Sequence, residues 1–164
     1  MQHAKDTFYI TLRDRIAALN PARTVLVRGV SRPAVLVEEN ELATDVEPPE
    51  TFRVRWTELK VEPHCDLPLA TMRCEIRYAT AGNSGNAGMD GGRLLAAMDA
   101  ELSAAINAAP QRAAKTNYAA SAATPMQTSV FWSDVTFNPA QTKNERLERV
   151  ATLEVFSYQE AGEL

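Results

Sequence analysis

The sequence is poor in the residues that build metal centres and disulfide frameworks. Its 164 residues include two cysteines, Cys65 and Cys74, and two histidines, His3 and His64, without a paired spacing. A structural zinc site takes about four ligands of these types, and a disulfide framework takes an even set of about four or more cysteines. We therefore expect no metal ion, no cofactor and no disulfide framework.

Long apolar runs and excess basic charge are also missing. No run approaches the ~20 apolar residues of a membrane-spanning helix, so no membrane partner is expected. The formal net charge of −4 argues against a sequence-specific or general nucleic-acid binder, because phosphate neutralisation needs a basic surface. The length suits one domain, and we expect residues 1–164 to form it.

Two stretches invite an enzymatic interpretation and do not support it. The glycine-rich run Gly82–Gly92 follows a strand pattern, but it has no Gly-Lys-Ser/Thr ending and Asp90 lies where a phosphate would approach. We interpret it as a loop with Asp90 as a helix N-cap. His64 and Cys65 are adjacent, and side chains at neighbouring positions point apart, so a nucleophile–base pair is not expected. No catalytic residue is predicted.

A strand, a loop and a helix between Leu69 and Ala109 organise the chain. Apolar residues alternate with polar ones from Ala70 to Tyr78, as in a strand with one face on a core. After the glycine run the period changes, and one apolar stripe runs along the predicted helix Gly91–Ala108. Cys74 falls on the apolar face of its strand and is expected to be a small core residue.

The other elements follow from the same patterns. Apolar residues spaced by three and four predict a first helix over Thr7–Leu19. Two short strands, Thr24–Val30 and Ala34–Val37, would pair as a hairpin around Ser31-Arg32. The alternation from Phe52 to Val61 changes phase, so either a bulge lies near Thr57-Glu58 or Trp56 faces another layer.

The C-terminal third adds two strands. Pro110–Pro125 is alanine-rich and is expected to be a surface excursion. Strands are predicted over Val130–Phe137 and Leu147–Tyr158, with residues from Gln159 onward frayed. The predicted fold is α+β, with a single mostly antiparallel sheet, two main helices packed on it, and flexible loops near 38–50, 79–91 and 110–126.

Charged and aromatic residues give the candidate interaction surface. The segment Glu38–Glu50 has six carboxylates and no basic residue. One interpretation is a solvated loop without a specific role. The other is an acidic contact surface for a basic partner. The apolar segment around Trp132 indicates either an interface or helices on both sheet faces. The candidate interface residues are Glu39, Glu41, Glu47, Arg53, Arg55, Trp56 and Trp132, with Arg73 and Arg77 on the same presumed outer face as the other arginines.

The order of elements resembles the tail terminator proteins of long-tailed bacteriophages. The resemblance is carried by the opening Phe8–Ile16 and Arg23–Val30, the long helix, and the closing strands Val130–Phe137 and Ala151–Tyr158. The resemblance covers most of the chain and concerns the order of helices and strands rather than a sequence motif. The Glu38–Glu50 and Gly82–Gly92 loops have no counterpart in the family pattern.

The resemblance implies a non-enzymatic virion protein, assembled in the host cytoplasm. Six copies would form a ring that caps the tail tube, with the tube protein and a head-completion or neck protein as partners, and DNA would pass through the ring. Two alternatives are a head-completion or neck connector subunit of the same particles, and a small-molecule enzyme or binding domain. A gene position beside the portal genes rather than the tail tube genes would favour the neck connector. A pocket with convergent titrating groups would favour the enzyme or binding domain.

Overall fold

The computed structural model describes residues 1–40, 48–63, 66–80, 89–119, 122–144 and 146–163. Along the chain these form α1 (Gln2–Leu19), β1 (Thr24–Val27), β2 (Val30–Pro33), β3 (Val35–Val37), β4 (Phe52–Glu62), β5 (Leu69–Ala79), α2 (Met89–Asn107), β6 (Arg112–Asn117), β7 (Thr124–Trp132), β8 (Thr136–Phe137), β9 (Gln141–Lys143) and β10 (Arg146–Tyr158). None of the helices in the described ranges has the length and apolarity needed to span a membrane.

The central sheet is mostly antiparallel, and the predicted α+β class is confirmed. Its strand order is β3-β4-β5-β10-β7-β6. β5 occupies one edge of β10 along its length, and β7, β8 and β9 follow one another along the other edge. The pair β3–β4 is the parallel one. The hairpin β1–β2 forms a separate two-stranded sheet.

Both helices pack on one face of this sheet. The alternation along β5 places Met72, Cys74 and Ile76 inward, fully buried. The apolar stripes of α1 and α2 cover them and, with the inward side chains of β4, β7 and β10, form one core. Removing this apolar surface from water is the main term that stabilises the arrangement. We call this helix-covered side the inner face and the opposite side the outer face.

The predicted elements agree with the observed ones where periodicity is strong. β5, β10 and α2 lie where the sequence places them, each within one or two residues. The phase change in β4 is a bulge, since the register with β5 shifts between Trp56 and Glu58. Cys74 is buried in the core as expected. Asp90 lies inside the first turn of α2, where its carboxylate is 3.6 Å from Arg93, rather than at the N-cap.

Helix α1 begins five residues earlier than predicted. The prediction took Asp6 or Thr7 as the cap, but the Thr7 hydroxyl donates to the carbonyl of His3, one turn back, at 2.7 Å. Ala4 is fully buried against the core. Tertiary contact therefore extends the helix through a residue that elsewhere favours a helix start.

The predicted hairpin turn around Ser31-Arg32 is wrong. The turn lies at Arg28-Gly29, both with positive φ (49° and 82°), and joins β1 to β2. Two consecutive positive φ values are the geometry of a tight hairpin turn, and glycine takes them without steric cost. Ala34–Val37, expected as the second hairpin strand, instead contributes β3 to the central sheet.

The alanine-rich stretch Pro110–Pro125 is not the expected excursion. It contains β6, which pairs with β7 from Arg112 to Asn117. The predicted strand Val130–Phe137 is correspondingly divided between β7 and β8. Alanines supply little pattern to identify a strand, but they let α1 approach β6 closely, and α1 packs along it.

The C-terminal residues are not frayed. Gln159 is buried, and its backbone N–H donates to the carbonyl of Pro68 at 2.8 Å. The fully buried ammonium of Lys115 on β6 donates to Glu163 Oε2 at 2.6 Å and to the carbonyl of Tyr158 at 2.5 Å. A paired buried charge thus holds the segment that follows β10 against β6.

Candidate assembly surface

The outer face carries the arginines that the alternation placed there. Arg53 lies opposite Arg77, Arg55 opposite Glu75, and Arg73 opposite Glu58 across the β4–β5 pair. Inward neighbours of these residues are buried, so their own side chains point away from the helices. The predicted placement of the four arginines is therefore correct.

Each of these arginines has a carboxylate of its own chain within 4 Å. Glu38 lies 3.5 Å from Arg53 and 3.9 Å from Arg55, Arg73 lies 3.6 Å from Glu58, and Arg77 lies 3.0 Å from Glu75. Such half-exposed pairs contribute about 0–1 kcal/mol each to stability. The face is thus a mosaic of both charges rather than a basic surface.

The acidic segment is also partly neutralised within the chain. Besides Glu38, Glu39 lies 3.4 Å from Lys5, and Glu50 lies 3.8 Å from Arg23. Three of the six carboxylates therefore have counter-ions from other parts of the chain. Glu41 and Glu47, named as interface candidates, lie outside the described residues.

The two tryptophans named as interface candidates have different surroundings. Trp56 is half-buried on the inner face, with its ring centroid 5.8 Å from that of Phe8. Trp132 is buried in the core: its indole N–H donates to the carbonyl of Ile106 at 2.9 Å. The Arg15 guanidinium lies 5.1 Å from the Trp132 ring centroid. Trp132 therefore belongs to the subunit interior and is not available to a partner in this fold.

Aromatic side chains on the outer face form the apolar part of the surface. Phe131 on β7 lies directly opposite Phe156 on β10. Phe131 is 38% exposed, while Val130 and Trp132 on either side of it are buried. The apolar segment around Trp132 that the sequence offers as an interface includes Phe131, and the two-residue period separates Phe131 from its buried neighbours. Within the described ranges, both helices lie on the other side of the sheet.

A groove of about 260 Å³ lies at the end of the sheet where β4 begins. Its cationic lining comes from Arg53, Arg77, Lys143 and Arg149, and Glu148 contributes a carboxylate. The buried Nε of Arg77 has no hydrogen-bond acceptor among the described residues. The groove can accept a carboxylate or phosphate oxygen.

Two side chains, Cys74 and Tyr78, have strongly shifted pKa values, and burial is the main cause for both. Burial raises the pKa of the Cys74 thiol, so the thiolate is disfavoured. Burial, followed by the hydrogen bond that the Tyr78 hydroxyl donates to Asp99, raises the pKa of Tyr78. Asp99 also lies 3.3 Å from Arg149. In the described part of the chain, no three His, Cys, Asp or Glu side chains are close enough to share a metal ion.

Comparison with known proteins gives no family. No family model and no curated protein matches the chain. One solved structure is 13% identical over 99% of this chain and 97% of its own, with a TM-score of 0.43. Its name states no activity, and a superposition of that quality carries no argument about function.

Proposed function

We propose that this protein is a structural subunit that forms a ring, in the manner of a phage tail terminator. The observation that carries the proposal is the asymmetry of the sheet. Two helices cover the inner face, whereas the outer face presents charged pairs and a partly exposed phenylalanine without a covering layer among the described residues. Exposed apolar area rimmed by charge is typical of interaction surfaces.

The terminator role draws its support from the resemblance in architecture. A ring requires a head-to-tail contact, in which two different surfaces of one subunit meet on each neighbour. Apolar contacts would hold the subunits together, and the charged pairs would set orientation and association rate. In this role the ring ends tube growth and presents its far side to the head.

The deciding experiment is negative-stain microscopy of the purified protein, alone and mixed with tail tubes that lack a terminator. We expect rings on tube ends and, when protein is present during tube assembly, tubes of uniform length. Tubes that stay bare and polydisperse would contradict the terminator role. Rings that bind isolated heads and not tubes would instead favour the neck connector.

Phe131→Asp tests the outer face. We expect the variant to fold, with a loss of about 1 kcal/mol in unfolding free energy, and to lose ring formation because a charge enters an apolar contact. Leu94→Asp is the matched control, since Leu94 is also 38% exposed but lies on α2. Sedimentation velocity compares the two. Rings that form equally well with both variants would exclude the Phe131 patch from the interface.

A further inference from the structure

Among the described residues, α1 covers one edge of the central sheet, and β3 covers only part of the other. At β6, the backbone N–H of Thr116 donates to the Thr7 hydroxyl at 3.0 Å, and α1 packs along the strand. At the opposite edge, β3 pairs only with Phe52–Val54 of β4. Beyond them, Arg55–Glu62 has no strand on that side among the described residues.

The open half of β4 has the features of a strand-accepting edge. Past the bulge its pairing with β5 is regular from Glu58 to Glu62. Leu59 and Val61 point to the inner side, since they lie opposite the buried Met72 and Ala70, yet they are 47% and 39% exposed. An open edge beside apolar side chains is a template for an added strand, which gains main-chain hydrogen bonds.

The hairpin β1–β2 has the features of the element that would be added. It pairs with no strand of the central sheet among the described residues. Its base is anchored by Val25, buried with Ala34 and Leu36. Toward the tip, Leu26 is 72% exposed and Val30 is 64% exposed. A two-stranded hairpin is marginally stable by itself, so further strand pairing would stabilise it.

The two elements are complementary in charge. The hairpin has Arg28 and Arg32, and the sequence between Pro21 and Val37 contains no acidic residue. The end of β4 and the residues after it have three carboxylates, Glu58, Glu62 and Asp66, against one lysine, Lys60. Glu58 also lies 3.6 Å from Arg73, but its side chain is still 59% exposed. Arg55, the other cation of the open half, lies before the bulge, 3.9 Å from Glu38. The basic hairpin therefore suits the acidic end of β4 past the bulge.

The base of the hairpin lies beside the start of β4, whereas Glu62 lies at the other end of that strand. The hairpin leads into Ala34, whose carbonyl accepts from the N–H of Phe52 at 2.9 Å, at the start of β4. β4 then runs 11 residues to Glu62, about 33 Å at the rise of a strand. Since the hairpin pairs with no part of β4 in its own chain among the described residues, we place the contact between different copies.

We propose that the β1–β2 hairpin of one copy adds to the open edge of β4 in the next copy. This is a head-to-tail contact, and its repetition gives the ring of the proposed function, on which the inference rests. The partner is a second copy of this chain rather than an unrelated strand, because one subunit carries both complementary elements.

Cysteine variants in a Cys65→Ser background test the contact under mild oxidation. One variant carries Leu26→Cys on the hairpin, and two others carry Leu59→Cys or Val61→Cys on β4. All three side chains are exposed, so the fold should tolerate them, and circular dichroism checks this. Each variant alone should stay uncrosslinked, and a mixture of a hairpin variant with a β4 variant should give a covalent dimer. The double variant should give a ladder of cross-linked oligomers.

Charge reversal provides an independent measurement. Arg28→Asp keeps a residue that tolerates positive φ and should weaken self-association about tenfold, because attraction becomes repulsion. Glu58→Lys with Glu62→Lys should restore much of the loss. Arg93→Glu, at an exposed position of α2, is the matched control and should leave self-association unchanged.

The outcomes separate this contact from the terminator role. Rings that cap tubes without any cross-link between the hairpin and β4 would overturn the contact and leave the role standing. Cross-linked oligomers that never bind tubes would support the contact and reject the role. No cross-link in the mixtures, with Arg28→Asp indistinguishable from Arg93→Glu, would also overturn it.

Discussion

Replacing Lys115 with methionine is expected to lower the unfolding free energy by about 3 kcal/mol. The Lys115 ammonium is fully buried and donates to Glu163 and to the carbonyl of Tyr158. Methionine fills much of the same volume but leaves the Glu163 carboxylate, also nearly buried, with the N-terminal ammonium at 3.8 Å in place of the closer lysine at 2.6 Å. Urea denaturation followed by circular dichroism measures the change, and an unchanged midpoint would contradict a stabilising role for the pair.

The double variant Lys115→Met with Glu163→Leu separates lost pairing from the cost of a carboxylate left with the more distant ammonium. It should recover part of the stability, because replacing both partners of a buried ion pair with apolar groups is often close to neutral. If it is no more stable than Lys115→Met alone, the loss comes from the packing of the lysine side chain rather than from Glu163.

The same pair makes the fold sensitive to acid. Burial acts to raise the pKa of Glu163, but hydrogen bonds from Lys115 and from the Glu160 N–H, together with the lysine charge, outweigh it, so the pKa lies below its ordinary value of 4.5. A lowered folded-state pKa gives stability that is present above the unfolded value and is lost as pH falls through the folded one. The wild type should therefore lose more stability below about pH 4.5 than the double variant does.

The sequence predicted those elements whose side chains repeat on one face. β5 alternates between buried and outward residues along 11 positions, and α2 has one apolar stripe along 19. Burial of one face dictates both patterns, so each can be recognised without knowing what covers it. The bulge in β4 was predictable for the same reason, since an extra residue reverses the phase.

Features that depend on contacts with residues far away in the sequence could not be predicted from local patterns. β6 has alanines where a strand pattern would show large apolar residues, and its place depends on α1 and β7. The buried Lys115 finds its carboxylate 48 residues later, and a lysine between polar neighbours looks like a surface residue. The hairpin turn lies at Arg28-Gly29, where both residues take positive φ, and not at Ser31-Arg32 between the two apolar runs.

The candidate surface was predicted in part. Strand alternation placed the arginines of β4 and β5 on the outer face, but it could not assign their counter-ions, because Glu38 reaches Arg53 and Arg55 from the end of another strand. Alternation also separates Phe131 from Trp132, although the two belong to one apolar segment of the sequence. Only the observed core shows that α2 and α1 cover Trp132 and leave Phe131 outside.

Trp132→Ala is accordingly expected to destabilise the subunit by about 4 kcal/mol. The indole packs edge-on against Phe8, with ring centroids 5.6 Å apart, and its N–H satisfies the carbonyl of Ile106 near the end of α2. The substitution removes a large buried ring, opens a cavity and leaves that carbonyl unpaired. Denaturant unfolding of the isolated subunit, at a concentration where no ring forms, measures the effect.

Two matched variants show whether Trp132 acts inside the subunit. Trp132→Phe keeps most of the ring and loses the hydrogen bond, so it should cost about 1–3 kcal/mol. Trp56→Ala removes the same side chain from a half-buried site, and it should cost less than Trp132→Ala because less apolar area is buried there. A Trp132→Ala subunit that unfolds like the wild type yet forms no rings would reverse this assignment, because the indole would then be acting on a neighbouring subunit, as the sequence pattern first indicated.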